Sequence, residues 1–304
     1  MDFVIEVTGG IGKHIMATSL VKWINEKYPD SKIIVVSAYP EVFEMNPRVY
    51  RNLHLMQPYL FEDYIKGKDF RKGEPYSIID YYRDENKKHL MYVMPKAYGF
   101  NEYNENPETE LYLTKGDEEG GRIFNENNPR LLTIQVAGGV GPGMNGCNKD
   151  KIDNSQRDLE FQLSIKVTNE LMRKGYRLLQ IRTKQERELP GCIQLDTNFR
   201  NLFAISKYSK GHVGIDSSMM HTAASLKKPM LIFWGGTHMD NLGYKYDGVF
   251  NAYNDKAMHC RPHIQMHDRT VALPYFDKNN GREFEYSDKE LREHIEKFIS
   301  FLQK

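Results

Sequence analysis

Residues 211–237, GHVGIDSSMMHTAASLKKPMLIFWGGT, constrain the fold more than any other part of this chain. Two apolar runs, residues 212–215 and 230–234, read as strands; the first ends at Asp216 and the second at Gly235-Gly236. Between them Met220, Ala223, Ala224 and Leu226 recur at helical spacing, with Ser217 or Ser218 placed to cap the helix start and Pro229 following its end. The result is a strand–helix–strand crossover, the unit of an α/β fold with parallel strands. Its first strand delivers an acid, two hydroxyls and backbone N–H groups to a helix N-terminus, a natural seat for phosphate. An ordinary crossover with a capping serine and a core-facing His221 is written with the same residues.

The N-terminus repeats the pattern. Residues 3–7 form a strand that runs into Thr8-Gly9-Gly10-Ile11-Gly12, and Ile15, Met16, Leu20, Val21, Trp23 and Ile24 then line one side of a helix before a second apolar strand, residues 32–37. This is the opening of a Rossmann-like half. The glycine turn is no P-loop, since Val7 stands at the first glycine position and His14 replaces the Ser or Thr that would hold magnesium. It is no dinucleotide fingerprint either, because Ile15 occupies the third glycine position. What remains is a tight turn in which Gly10 and Gly12 let the backbone come close to a ligand.

Further strands are expected over residues 53–56 and 76–82, the latter carrying Asp80 late in its run, and a helix over residues 88–100 with Leu90, Met91, Val93, Met94 and Ala97 on its apolar face. Residues 117–130 are polar and rich in Gly and Asn, and they precede a strongly apolar strand, residues 131–136, so a domain boundary is placed there. The resulting division is 1–125, 126–286 and a closing helix, 287–304, opened by the capping box Ser287-x-x-Glu290. Gly141, Gly143 and Gly146 match G-x-G-x-x-G in the loop after residues 131–136, a weak match because Pro142 lies inside it. That loop ends at Arg157, which leads into a helix over residues 159–174 and a strand over 176–181.

Lys+Arg 42 against Asp+Glu 41 gives a net charge of +1, so no global field draws the chain to nucleic acid, although a local basic patch is compatible with that total. Three scattered cysteines, Cys147, Cys192 and Cys260, make a disulfide framework improbable and fit a reducing compartment. The first residues lack a basic start and a long apolar core, and no run reaches the roughly 18 apolar residues of a membrane helix, so a cytoplasmic location without a transmembrane segment is expected. Cys260, His263 and His267, with His259 beside them, have a spacing that can bind zinc, but no second cysteine pair accompanies them and no metal is expected.

Asp216-Ser217, His221, Ala223-Ala224, Pro229 and the strand ending in Gly235-Gly236-Thr237 together resemble the C-terminal signature of glycosyltransferase family 9, the heptosyltransferase-like enzymes. The first turn, GGIGKHIMATSL, is similar to that family's GDIGD turn, with Thr18 in register, and Asn241-Leu242-Gly243-Tyr244 matches a glycine–tyrosine element after the signature. The resemblance spans residues 9–244. It implies a GT-B architecture of two Rossmann-like, doubly wound domains facing a central cleft, and a hexosyl- or heptosyltransferase. The donor would be a nucleotide-diphosphate sugar used as co-substrate with no resident cofactor, and the acceptor a saccharide, with inversion and no metal.

By the same resemblance Asp216, Ser217, Ser218 and His221 would hold the nucleotide with Gly10 and Gly12, and a basic residue of the loop would reach the diphosphate, Arg157 in preference to Lys149 or Lys151. One departure bears on mechanism. The family's acid and presumed general base aligns with Lys13, a poor base at a helix N-terminus, which leaves the adjacent His14 as the substitute. Two alternatives stay open: a phage-type glycosyltransferase acting on a DNA base, and a non-catalytic module that binds sugar nucleotides or glycans.

Overall fold

Apolar runs that alternate with helices build two parallel sheets in this protein. A computed structural model describes residues 2–56, 61–72, 88–138, 157–184, 186–235, 237–254 and 284–304, which divide into two compact units, Met1–Gly116 and Asp117–Lys304. The strand expected over residues 76–82 with Asp80, the glycine run at Gly141, Gly143 and Gly146, the lysines Lys149 and Lys151, and the group His259, Cys260, His263 and His267 lie outside the described residues.

In the first unit β1 (Phe3–Val7), β2 (Ile33–Ser37), β3 (Arg51–His54) and β4 (Asp69–Lys72) form a parallel sheet in the order β3-β2-β1-β4. Every residue of β2 and all of β1 except Glu6 is buried, which is why both strands are written as unbroken apolar runs rather than as alternation. Helix α1 (Ile11–Lys27) follows the glycine turn and buries ten residues on several sides, polar Thr18 and Ser19 among them. Thr18 Oγ1 donates to the Ile15 carbonyl at 2.6 Å and accepts the Glu110 N–H at 2.9 Å, tying the segment around Glu110 to the helix. Phe3, Trp23, Tyr28 and Phe100 stack into one aromatic cluster, and the Arg71 guanidinium lies 3.9 Å from the Phe100 ring centre. Helix α2 (Leu90–Ala97) starts at His89, whose ring accepts the Met91 N–H.

The second unit begins within helix α3 (Lys115–Asn127) and continues through β5 (Leu131–Gln135), α4 (Phe161–Arg173), β6 (Arg177–Gln180), β7 (Ile193–Gln194), α5 (Phe199–Tyr208), β8 (Gly211–Ile215), α6 (Ser218–Ser225), β9 (Met230–Phe233), the short turn α7 (Met239–Leu242), β10 (Val249–Ala252) and α8 (Asp288–Leu302). Its six strands are all parallel, in the order β10-β9-β8-β5-β6-β7. Numbered from β5, that is the doubly wound order 6-5-4-1-2-3, in which the chain direction across the sheet reverses between β5 and β8. One face of the sheet packs against α4 and α8 through Val167, Leu171, Ile295 and Phe298; Leu202, Ile205 and Met219, from α5 and α6, join Leu131 and Leu179 in a second cluster.

Two expectations change here. Residues 117–130 are largely helical rather than a linker: α3 approaches α5 so closely at Gly121 that a Cβ there would lie 2.5 Å from the Ala204 carbonyl. Its acids are paired across that contact, Asp117 with Arg200 and Glu118 with Lys207, so a helix with one buried residue looks like solvent-exposed linker in sequence. The division between the units accordingly falls at Gly116 and Asp117, upstream of residue 125. The closing helix α8 carries the expected capping box at Ser287 and Glu290, and its apolar stripe is part of the second unit's core rather than a separate appendage.

Candidate functional site

Parallel doubly wound sheets gather ligands at the carboxyl ends of the strands where the winding reverses. In the second unit that point is the gap between the ends of β5 and β8, where Gln135 lies beside Asp216, Ser217 and Ser218. Helix α6 begins there. Ser217 has the extended backbone of an N-cap, yet its hydroxyl does not cap the helix. It donates instead to Gln135 Oε1, which also accepts the Met219 N–H at 3.1 Å and the Ser218 hydroxyl at 3.4 Å. The cap is therefore a carboxamide supplied by the neighbouring strand, and both serine protons are drawn toward it. No local pattern marks it, because the partner stands 82 positions earlier in the chain.

Asp216 and His221 lie close to each other. The carboxylate oxygen Oδ1 and His221 Nε2 face each other at 4.0 Å, beyond hydrogen-bonding distance, and both side chains are buried. His221 Nδ1 is 2.8 Å from the Tyr244 hydroxyl, with the rings edge to face at 5.7 Å, so the glycine–tyrosine element closes on the helix that carries His221. Gly243 permits that approach: a Cβ there would meet the Met239 carbonyl oxygen at 2.5 Å and the Trp234 ring at 3.1 Å. Arg157 also arrives at this point, its Nη1 donating to the Asp216 carbonyl at 3.4 Å.

The loop after β6 holds one further acid, half-buried. Glu186 accepts from the Thr183 hydroxyl at 3.1 Å, and burial pushes its carboxyl up to about 7, the Asp158 carboxylate acting in the same direction. Asp158 itself accepts the Gly138 N–H at 2.7 Å just beyond the end of β5. Nothing in the local sequence marks Glu186 apart from its place after a strand.

In the first unit the glycine turn follows β1. Gly9, rather than Gly10 or Gly12, takes the left-handed conformation, with φ at +93°. The Lys13 side chain folds over it, so that a Cβ on Gly9 would lie 2.8 Å from Lys13 Cδ. Gly10 is the N-cap of α1, and a Cβ there would meet nothing within 4 Å; Gly12 lies in the first turn of the helix. His14 is fully buried, its ring edge-to-face with Tyr39 at 4.9 Å. Its Nδ1 donates to the Gly10 carbonyl at 3.0 Å, leaving the Nε2 lone pair of the neutral ring without a hydrogen-bond partner among the described residues. Burial holds the imidazole below the ordinary histidine value, and the Lys13 charge adds to that. The residue types of a neutral base are present, but the ring is fully buried.

Among the described residues no group of three or more His, Cys, Asp and Glu is gathered as a metal site, and no helix is long and apolar enough to cross a membrane.

No protein-family profile matches this chain, and no curated protein matches it in sequence. Its fold does have solved counterparts. A glycosyl transferase of family 9 from Veillonella parvula superposes with a TM-score of 0.64 over 100% of this chain and 98% of its own, at 12% identity. The ADP-heptose lipopolysaccharide heptosyltransferase II of E. coli gives 0.53 over 97% and 100%, also at 12% identity. The iron-containing dodecameric glycosyltransferase TibC of enterotoxigenic E. coli gives 0.67 over 99% of this chain and 76% of its own, at 11% identity. At such identities the likeness is one of fold: mixed α/β with parallel sheets, as in family 9 glycosyltransferases and heptosyltransferases.

Proposed function

We propose that this protein is a glycosyltransferase that moves a sugar from a nucleotide-diphosphate donor to an acceptor hydroxyl, with the donor seated where β5 meets β8. The observation that carries this reading is the assembly of Arg157, Gln135 and the start of α6 at the reversal point of a doubly wound sheet, on a fold shared with enzymes of that chemistry. Charge that builds on the departing diphosphate would be met by the Arg157 guanidinium, which engages phosphate oxygens bidentately, and by backbone N–H groups near Ser217. Buried Asp216 and His221 would support that seat, with His221 held by its contact to the half-buried Tyr244. Gly10 and Gly12 would admit ligand close to the first turn, which the open space before Gly10 favours. The acceptor is a saccharide, transfer inverts the anomeric centre, and no resident metal takes part. Heptosyltransferase neighbours, one of them solved with ADP, make an ADP-sugar the first donor to try.

His14 is the candidate base through Nε2, a role that requires its buried ring to become accessible to the acceptor. That burial, with Lys13 where the family's turn carries an acid, favours a second reading, a module that binds sugar nucleotide without turning it over. A thermal-shift screen against ADP, GDP, UDP and CDP and their sugars tests the donor seat, since a ligand selective for the folded state raises the melting temperature. A shift with one nucleotide that disappears in Arg157→Ala supports the seat; no shift with any of them sinks it. Slow hydrolysis of the bound donor without acceptor separates the enzyme from the module.

A further inference from the structure

Gln135 is all but buried, 6% exposed, at the end of the central strand β5, and its carboxamide is used at one end only. The Met219 backbone N–H can only donate, so the group it meets at 3.1 Å must be the amide oxygen; this fixes which way the carboxamide faces. The Ser217 and Ser218 hydroxyls donate to the same oxygen. Two consequences follow. A phosphate at neutral pH accepts hydrogen bonds and does not donate them, so the Ser217 hydroxyl, whose proton is already committed to Gln135, has none left for it. The amide nitrogen Nε2, meanwhile, points away from the helix, and among the described residues nothing accepts from it.

We propose that Gln135 both sets the helix start and supplies, through Nε2, a donor to the diphosphate of the nucleotide, so that Gln135 rather than Ser217 recognises the anion beside Arg157. This rests on the nucleotide seat proposed above. Substituting carboxylate for carboxamide divides the two roles. In Gln135→Glu one oxygen still accepts from Met219, Ser217 and Ser218, and a negative charge at a helix N-terminus is itself favourable, so the fold is kept. The donor, however, becomes an acceptor.

The experiment measures melting temperature and affinity for ADP and for adenosine by calorimetry, in the wild type, Gln135→Glu, Gln135→Met and Ser217→Ala. Gln135→Glu should melt at or above the wild-type temperature while its ADP affinity falls roughly tenfold or more, the factor attached to one hydrogen bond with a charged group. Gln135→Met, which has no charge to repel phosphate, should also weaken ADP; adenosine affinity should change less than about twofold in both, and Ser217→Ala should keep its ADP affinity within about threefold. If Gln135→Glu and Gln135→Met bind ADP like the wild type, or Ser217→Ala loses as much as they do, the role of Gln135 is overturned while the seat stands. If the wild type binds none of ADP, GDP, UDP and CDP, the seat falls and the inference falls with it.

Discussion

His212 lies in the middle of the second unit's sheet, one strand residue from Gly214 and fully buried, with Thr133 Oγ1 3.0 Å from its Nδ1. Burial pulls its imidazole down from 6.5 to about 3, because a charge there would be stripped of water, and the Thr133 contact only partly opposes this. An unfolded chain takes up a proton on this residue as pH falls through 6.5, whereas the folded chain does not until about 3. Stability is therefore full above 6.5 and is lost progressively between 6.5 and 3. At pH 5.0 the loss covers about 1.5 of those pH units, or roughly 2 kcal/mol at 1.36 kcal/mol per unit. His212→Gln keeps a polar partner for Thr133 and cannot titrate. In a Trp23→Phe background Trp234, fully buried beside β9, becomes the sole tryptophan and reports unfolding of the second unit. Urea unfolding at pH 7.5 and 5.0 should show wild-type His212 losing about 2 kcal/mol more than His212→Gln. Groups common to both proteins, His294 among them, cancel in that difference. Equal losses would refute the claim that His212 is held neutral by its surroundings.

Two more predictions are simpler. Gly121→Ala forces a methyl group to within 2.5 Å of the Ala204 carbonyl, an overpacking that should cost about 1–3 kcal/mol and lower the melting temperature by roughly 2–4 °C for each kcal/mol; an unchanged melting temperature would show that α3 does not rest on α5. His14→Ala should abolish transfer while leaving ADP affinity within about threefold, because a base acts on the acceptor's proton and not on the nucleotide, and full turnover by that variant would remove His14 from the chemistry.

The crossover 211–237 was legible because its code is local: two apolar runs, a helical repeat and a proline appear in the structure as β8, α6 and β9. The proximity of Asp216 and His221 follows from the same local code, since five positions along a strand end and a helix start leave little freedom in where they meet. The cap was not. A helix start looks the same in sequence whether its N–H groups are satisfied by its own serine or by Gln135 from another strand, and only the sheet pairing of β5 with β8 decides between them. Helix α3 was hidden by an inverse effect: its polar residues are spent in pairs with α5, so burial left no apolar stripe to read. Lys13 and His14 were legible as residue types at a turn. That His14 lies edge-to-face with Tyr39 follows from the path of the chain after β2, which no local periodicity records.

The cap borrowed from β5 also governs the order in which this protein becomes competent. During synthesis β5 leaves the ribosome well ahead of Ser217, and the segment richest in recognisable pattern, once it emerges, carries a helix whose first turn is not capped by its own serine. A peptide carrying only the crossover would hold the signature and lack what orients it. If nucleotide sits at the proposed seat, its affinity is a late reporter of long-range closure across the sheet, and a misregistered β5 would abolish binding in a chain whose secondary structure was otherwise intact.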